Sequence, residues 1–95
     1  MIEYDVINND LQSRFEAASD GQVIGLADYV LRGNNKVYIT HTEVDDAYAG
    51  QGIAAKLTAA LLDWIRQNGY RLGERPMCPY TAAYLERYPQ YKDLL

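Results

Sequence analysis

Ninety-five residues, 48% of them hydrophobic, make one folding unit with a single core, read here as one domain over 1–95. The formal net charge of −4 and a pI near 4.7 argue against a general nucleic-acid binder, which needs a basic patch. No run approaches the roughly 18 apolar residues of a membrane span, and Met1-Ile2-Glu3-Tyr4-Asp5 lacks the basic and apolar regions of a signal peptide. The single cysteine, Cys78, cannot form an internal disulfide, which fits a reducing, cytoplasmic address.

Glu3 to Ile7 alternates as an edge strand does, and Asn8-Asn9-Asp10 reads as the turn after it. Arg14 to Ala18 is a short strand closed by Ser19-Asp20-Gly21. Gln22 to Leu31 and Lys36 to Val44 are the strongest strands, rich in Val, Ile, Leu, Tyr and Thr. Arg32-Gly33-Asn34-Asn35 joins them with residues that tolerate positive φ, so the pair reads as an antiparallel hairpin. Strict alternation puts Val37, Ile39, His41 and Glu43 on one face, and Tyr38, Thr40, Thr42 and Val44 on the other.

Asp45 to Gly50 is a loop, after which the period becomes helical from Gln51 to Asn68. Ile53, Leu57, Leu61 and Ile65 recur every fourth residue, and Ala54, Leu62 and Trp64 widen the stripe. The helix spans about 25 Å at 1.5 Å per residue and stops at Asn68-Gly69. Tyr70 to Met77 reads as a short strand interrupted by Gly73 and Pro76. Pro79 opens a short helix that ends before Pro89, and Gln90 to Leu95 forms one more turn.

The loop Gly50-Gln51-Gly52-Ile53-Ala54 is the informative junction. Glycines let the backbone approach a ligand closely, and the helix behind them offers unpaired N–H groups and the positive end of its dipole. That combination holds phosphate or pyrophosphate. Gly50 to Ala55 also matches the dinucleotide pattern G-x-G-x-x-A, with Glu74 lying 24 residues after Gly50. Two features count against a dinucleotide fold. The loop follows a hairpin instead of a first strand, and only 45 residues come after Gly50. A lysine-containing P-loop is excluded because Lys56 is four residues beyond Gly52.

The stretch Val44-Asp45-Asp46-Ala47-Tyr48-Ala49-Gly50-Gln51-Gly52-Ile53-Ala54 resembles the acetyl-coenzyme-A motif of the GNAT superfamily of N-acetyltransferases. Many members read Val-x-Pro-x-x-Arg-Gly-x-Gly-Ile followed by Gly or Ala. Strand, loop and long helix occur in that family's order. His41-Thr42-Glu43-Val44, Cys78-Pro79-Tyr80 and Ala83-Tyr84-Leu85-Glu86-Arg87 look like its compact branch, which lacks the N-terminal helices of longer members. The likeness covers Gln22 to the C-terminus. It implies an α+β fold: a mixed, mostly antiparallel sheet packed by one long and one short helix, a minimal three-layer α/β/α sandwich.

The resemblance also implies the ligand, acetyl-coenzyme A, held by Val44, Ala49, Gly50, Gln51, Gly52, Ile53, Ala54, Ala55 and Lys56. Asp46 stands where proline is common, and Ala49 where arginine or glutamine is usual. An exposed arginine contributes roughly 0–1 kcal/mol. Backbone N–H bonds to phosphate contribute roughly 1.5–3 kcal/mol each, so binding should survive without it. Lys56 either replaces part of that charge or is a solvated helix lysine.

Acetyl transfer to an amine needs a proton acceptor, and His41 and Glu43 are the nearest candidates. His41, the only histidine, reads equally as a hydrogen-bonded residue at the edge of the core. Cys78, at a helix start, reads as a thiol of lowered pKa or as packing. The resemblance puts it near the acetyl group, as a proton relay or a transient acetyl acceptor. It offers Tyr84 as the acid for the leaving thiolate, although aligning the family's late-helix glutamate on Glu86 puts its tyrosine on Leu85; a packing role stays open.

Residues 1–50 hold nine acids and three bases, while 51–95 hold four and six. That division suits a cationic acceptor meeting an anionic cofactor, and equally an uneven solvated surface. The expected activity is acetyl transfer to a primary amine on a protein side chain or tail, or on a polyamine, with no nucleic-acid, membrane or metal partner. A coenzyme-A-binding module with little catalysis and a plain interaction domain are the alternatives.

Overall fold

The computed structural model describes residues 2–95. Strands β1 (Asp5–Asn9), β2 (Arg14–Ser19), β3 (Gln22–Leu31) and β4 (Lys36–Val44) are antiparallel neighbours in chain order, and β5 (Arg71–Leu72) adds a parallel edge beside β4. Helix α1 (Ile53–Gln67) makes the crossover from β4 to β5. Helix α2 (Pro79–Arg87) and a 3-10 turn (Pro89–Leu94) follow. This is the α+β arrangement that the sequence predicts: a mixed, mostly antiparallel sheet with one long and one short helix.

Local chemistry explains the turns. Asp20 and Gly21 both take positive φ between the paired residues Ser19 and Gln22, giving the tight hairpin an Asp-Gly pair favours. Between β3 and β4 the positive φ falls on Asn35. α1 ends in a Schellman motif: Gly69 is left-handed, its N–H bonds Arg66, and the Tyr70 N–H bonds Ile65.

Several expected boundaries move: β1 starts at Asp5 rather than Glu3, and β2 runs to Ser19 rather than Ala18. β1 runs to Asn9 rather than stopping at Ile7, because its asparagines pair across the sheet: Asn8 accepts from the Tyr29 hydroxyl at 2.9 Å, and Asn9 donates to Glu16 at 3.2 Å. α1 begins at Ile53, two residues later than expected, because Gly52 is left-handed. β5 has only two residues. Gly73 then passes so close to the Tyr38 ring that a Cβ there would collide with it.

The face assignment along β4 also needs correction. A bulge between Asp28 and Tyr29 leaves Thr40 without a partner: Tyr29 pairs with Ile39, whereas Asp28 pairs with His41. One extra residue exchanges the faces beyond it. Val37 and Ile39 therefore share the core face with Thr42 and Val44, while His41 and Glu43 point the other way and are exposed.

α1 buries Ile53, Leu57, Leu61, Leu62 and Ile65 in a core with Phe15, Ala17, Ala27, Tyr29, Val37 and Ile39. Phe15, Tyr29, Trp64 and Tyr70 close one end with ring centroids 4.9–6.0 Å apart. Leu85 of α2 and Leu94 of the last turn join the same core. Gly25 is buried where β3 passes beneath the start of α1, and a Cβ there would meet Ile53 at 3.2 Å and the Glu43 carbonyl at 3.2 Å.

That contact yields a prediction. Gly25→Val forces the first turn of α1 away from the sheet and lowers the urea unfolding free energy by about 1–3 kcal/mol. An unchanged urea midpoint would show that the helix end is not seated on Gly25.

Candidate functional site

The loop after β4 is shaped by a carboxylate acting on its own backbone. Asp45 caps a 3-10 turn over Asp46–Tyr48, accepting the Ala47 N–H at 3.0 Å. The Asp45 N–H in turn holds the Ile24 carbonyl at 2.8 Å. Ala49 is exposed, as is Gly50. Gly50 (φ 80°) and Gly52 (φ 77°) both occupy the left-handed region, and a Cβ on either would point into open space. The glycines are thus required first by conformation, with the space beside them left free.

The chain enters α1 without a side-chain cap. The Lys56 backbone N–H donates to the Gly52 carbonyl at 3.1 Å, the first bond of the helix, so the N–H groups from Gly52 to Ala55 have no intrahelical partner. An anionic ligand fits this end, since four donors and the helix dipole converge there without competition from a capping side chain. The Gln51 side chain is engaged elsewhere: its Oε1 accepts from the Ile2 N–H at 3.1 Å.

Beside this loop, β4 loses its outer neighbour. β5 pairs with β4 only at Lys36 and Val37; Gly73 and Cys78 then bond the Val37 and Ile39 carbonyls at 2.8 Å each. Among the described residues no strand covers that edge of β4 from Thr40 to Val44. A half-opened edge of this kind supplies main-chain donors and acceptors to an extended ligand with amide groups.

Cys78 stands at the head of this gap. It is the N-cap of α2, 7% exposed, with Sγ 3.8 Å from Thr42 Oγ1. Burial pushes the thiol up, but the N–H groups of Thr81 and Tyr80, with the hydroxyl and N–H of Thr42, pull it below its ordinary value. Nearby, Thr81 Oγ1 is fully buried with no hydrogen-bond partner among the described residues. Sequence reasoning missed Thr42. Its approach to Cys78 depends on the Thr40 bulge, which leaves no mark on the hydrophobic pattern.

His41 Nε2 and Glu43 Oε1 are 3.2 Å apart and more than half exposed, on the face of β4 opposite Thr42. The structure therefore brings His41 to Glu43 and Cys78 to Thr42, as two pairs on opposite faces of one strand. Tyr84 sits with Tyr80, Tyr88 and Tyr91, the nearest ring (Tyr88) having its centroid 4.6 Å away. Burial, reinforced by Tyr91, Tyr88, Tyr80 and the Asp63 carboxylate, raises its hydroxyl above the usual tyrosine value. Tyr84 also lines a groove of about 370 Å³ between the first turn of α1 and α2, with Ala55, Tyr80, Ala83, Arg87 and Tyr88. Lys56 faces a different cavity, of about 670 Å³, walled by Glu3, Asp5 and Asp20.

Comparison with known proteins agrees with this geometry. Residues 14–94 match the model of the GCN5-related N-acetyl-transferase family. Protein NATD1 of Mus musculus is 34% identical over 96 residues, covering 99% of this chain and 83% of the mouse protein. A GCN5-like protein from Staphylococcus aureus superposes with a TM-score of 0.73 at 24% identity, over 99% of this chain and 89% of that one. A GNAT-family N-acetyltransferase from Escherichia coli, crystallised with CoA, matches at 33% identity and a TM-score of 0.54 over 60% of this chain and 35% of its own. With its loop, long helix and incompletely paired β4 in the family's order, the chain belongs to the GCN5-related N-acetyltransferases.

Proposed function

We propose that the protein is an acetyl-coenzyme-A-dependent N-acetyltransferase acting on a primary amine of a cationic acceptor, a protein side chain or tail or a polyamine. The observation that carries this reading is the uncapped N-terminus of α1 behind two left-handed glycines, beside the point where β4 loses its partner. The CoA-bound relative from Escherichia coli supports the choice of ligand.

In this reading the N–H groups from Gly52 to Ala55 hold the diphosphate, with Ala49 and Gly50 leaving room for it. The free edge of β4, ending at Val44, holds the pantetheine amides. Acetyl-coenzyme A supplies an activated acetyl thioester, and the protein supplies orientation and proton management. Glu43 and His41 face solvent on the sheet face opposite Thr42, where an ammonium gives up its proton before attack. The opposed shifts of Cys78 and Tyr84 divide the remaining duties. Cys78, whose thiol lies below its ordinary value, is the candidate proton relay, and Tyr84, whose hydroxyl lies above its own, is the candidate acid for the leaving thiolate. The acidic first half of the chain favours a cationic acceptor.

Saturation with acetyl-coenzyme A at about 100 times Kd should stabilise the fold by about 2.7 kcal/mol, read as a melting shift. Acetylation assays across basic peptides, polyamines and amino acids should show turnover on the cationic acceptors, and turnover confined to a small neutral amine would overturn the acceptor assignment. Gly52→Trp, strained at positive φ and filling the open space, should abolish the coenzyme-dependent melting shift; a folded variant that keeps it contradicts the loop assignment.

The lowered Cys78 thiol makes its own prediction. The pH midpoint of iodoacetamide alkylation should be lower in the folded protein than in urea, and Thr42→Val should move it upward. Because the fold prefers the thiolate, this group adds stability above its unfolded pKa and loses that contribution as pH falls through the folded value. Coincident midpoints in the folded and urea states would leave Cys78 a packing residue.

A further inference from the structure

The diphosphate site proposed above lacks a cation of its own. From Asp45 to Ala55 the chain contains two carboxylates and no lysine or arginine, and Ala49 occupies the place where the family's motif carries a basic or amide side chain. Four backbone N–H groups contribute partial charge, whereas a coenzyme carries several full negative charges. A nearby side chain has to balance them, and two cations lie next to the first turn of α1.

Lys56 is the nearer in sequence, but a step of one residue turns the helix by about 100°. That turn directs it into the cavity with Glu3, Asp5 and Asp20, where three carboxylates compete for it. Arg87 comes from the other direction. It lines the groove in which Ala55, one of the residues with a free N–H, forms the opposite wall. Its guanidinium lies 5.8 Å from the centre of the Tyr88 ring, a contact that holds it in place while leaving its N–H donors free. Among the described residues it has no ion-pair partner, whereas Arg14, Arg66 and Lys92 are paired with Asp28, Asp93 and Glu86. The rest of the groove is aromatic, from Tyr80, Tyr84 and Tyr88, and suits a purine beside the phosphate.

We infer that Arg87, reaching across from α2, is the cation that binds the coenzyme's phosphate groups, substituting for the charge missing at position 49. This inference deepens the coenzyme reading and rests on it. The phosphate chemistry is common to the diphosphate and to the 3′-phosphate of the adenosine, and the choice of ligand separates the two. Because Arg87 sits at the C-terminal end of α2 and the free N–H groups at the N-terminal end of α1, phosphate binding would join the two helices across the groove.

Calorimetric titration with CoA and with dephospho-CoA, each at low and at moderate salt, tests the assignment. Arg87→Gln should weaken CoA roughly tenfold, equivalent to about 1.4 kcal/mol, and flatten the salt dependence. Arg87→Lys should recover part of the loss. Lys56→Gln should cost less than Arg87→Gln, and Arg32→Gln, in the distant β3–β4 loop, should control for net charge. An equal loss with both ligands puts Arg87 on the diphosphate; a loss confined to CoA puts it on the 3′-phosphate; either outcome supports the proposal. A folded Arg87→Gln variant that binds both ligands within twofold of the unmodified protein overturns it, as does a larger loss from Lys56→Gln. Failure of the unmodified protein to bind either ligand instead overturns the coenzyme reading itself.

Discussion

Every part of the site takes its position from the unequal pairing of β4. Along its inner edge the strand pairs with β3 from Val37 to Val44, interrupted only at Thr40; along its outer edge it has a neighbour only as far as Ile39. The reason is local. Only Arg71 and Leu72 pair as strand, and Gly73 then slips under the Tyr38 ring, so the chain leaves the sheet and rejoins it once, through the Cys78 N–H. That bond is made by the residue that caps the start of α2. Backbone groups on the uncovered part of β4 remain available, and a thiol held by helix N–H groups closes the head of the gap.

The same strand separates two kinds of proton chemistry. The Thr40 bulge turns Thr42 inward toward Cys78 and His41 with Glu43 outward to solvent. The thiol beside Thr42 and the exposed imidazole–carboxylate pair thus lie against neighbouring residues of one strand yet on opposite sides of the sheet. For acetyl transfer this separation is useful. In the proposed reaction it would put the candidate proton acceptors, His41 and Glu43, at the water-exposed face and the candidate relay, Cys78, at the buried one. Burial, reinforced by the surrounding tyrosines and Asp63, raises the Tyr84 hydroxyl, while hydrogen bonds from helix N–H groups lower the Cys78 thiol, so these two shifts run in opposite directions.

Much of this was legible in the chain because the signals were strong and local. The 3.6-residue stripe from Ile53 to Ile65, the Asp20-Gly21 and Asn68-Gly69 stops, and Pro79 at a helix start each depend on a few adjacent residues. The glycine loop was legible for a different reason, since positive φ at positions 50 and 52 admits little else. What escaped depended on tertiary pairing. Asn8 and Asn9 look like turn formers until Tyr29 and Glu16 supply partners. The face of His41 follows from one unpaired threonine, and the Thr42–Cys78 approach spans 36 residues. Arg87 carried no role in the sequence, because only the packing of α2 against α1 brings it opposite Ala55.

The two ends of α2 are anchored by different physics. At Cys78 the anchor is a buried backbone bond to the sheet. At the far end Leu94 enters the core, while the turn that carries it is tied to α1 by exposed polar links, Arg66 to Asp93 at 2.7 Å and the Tyr91 hydroxyl to Asp63 at 3.1 Å. Exposed pairs weaken as ions screen them, whereas the buried bond does not. The groove between the helices is therefore rooted in a bond that salt does not reach, while its far wall is held by links that salt weakens, so ionic strength acts on one end of it and not on the other.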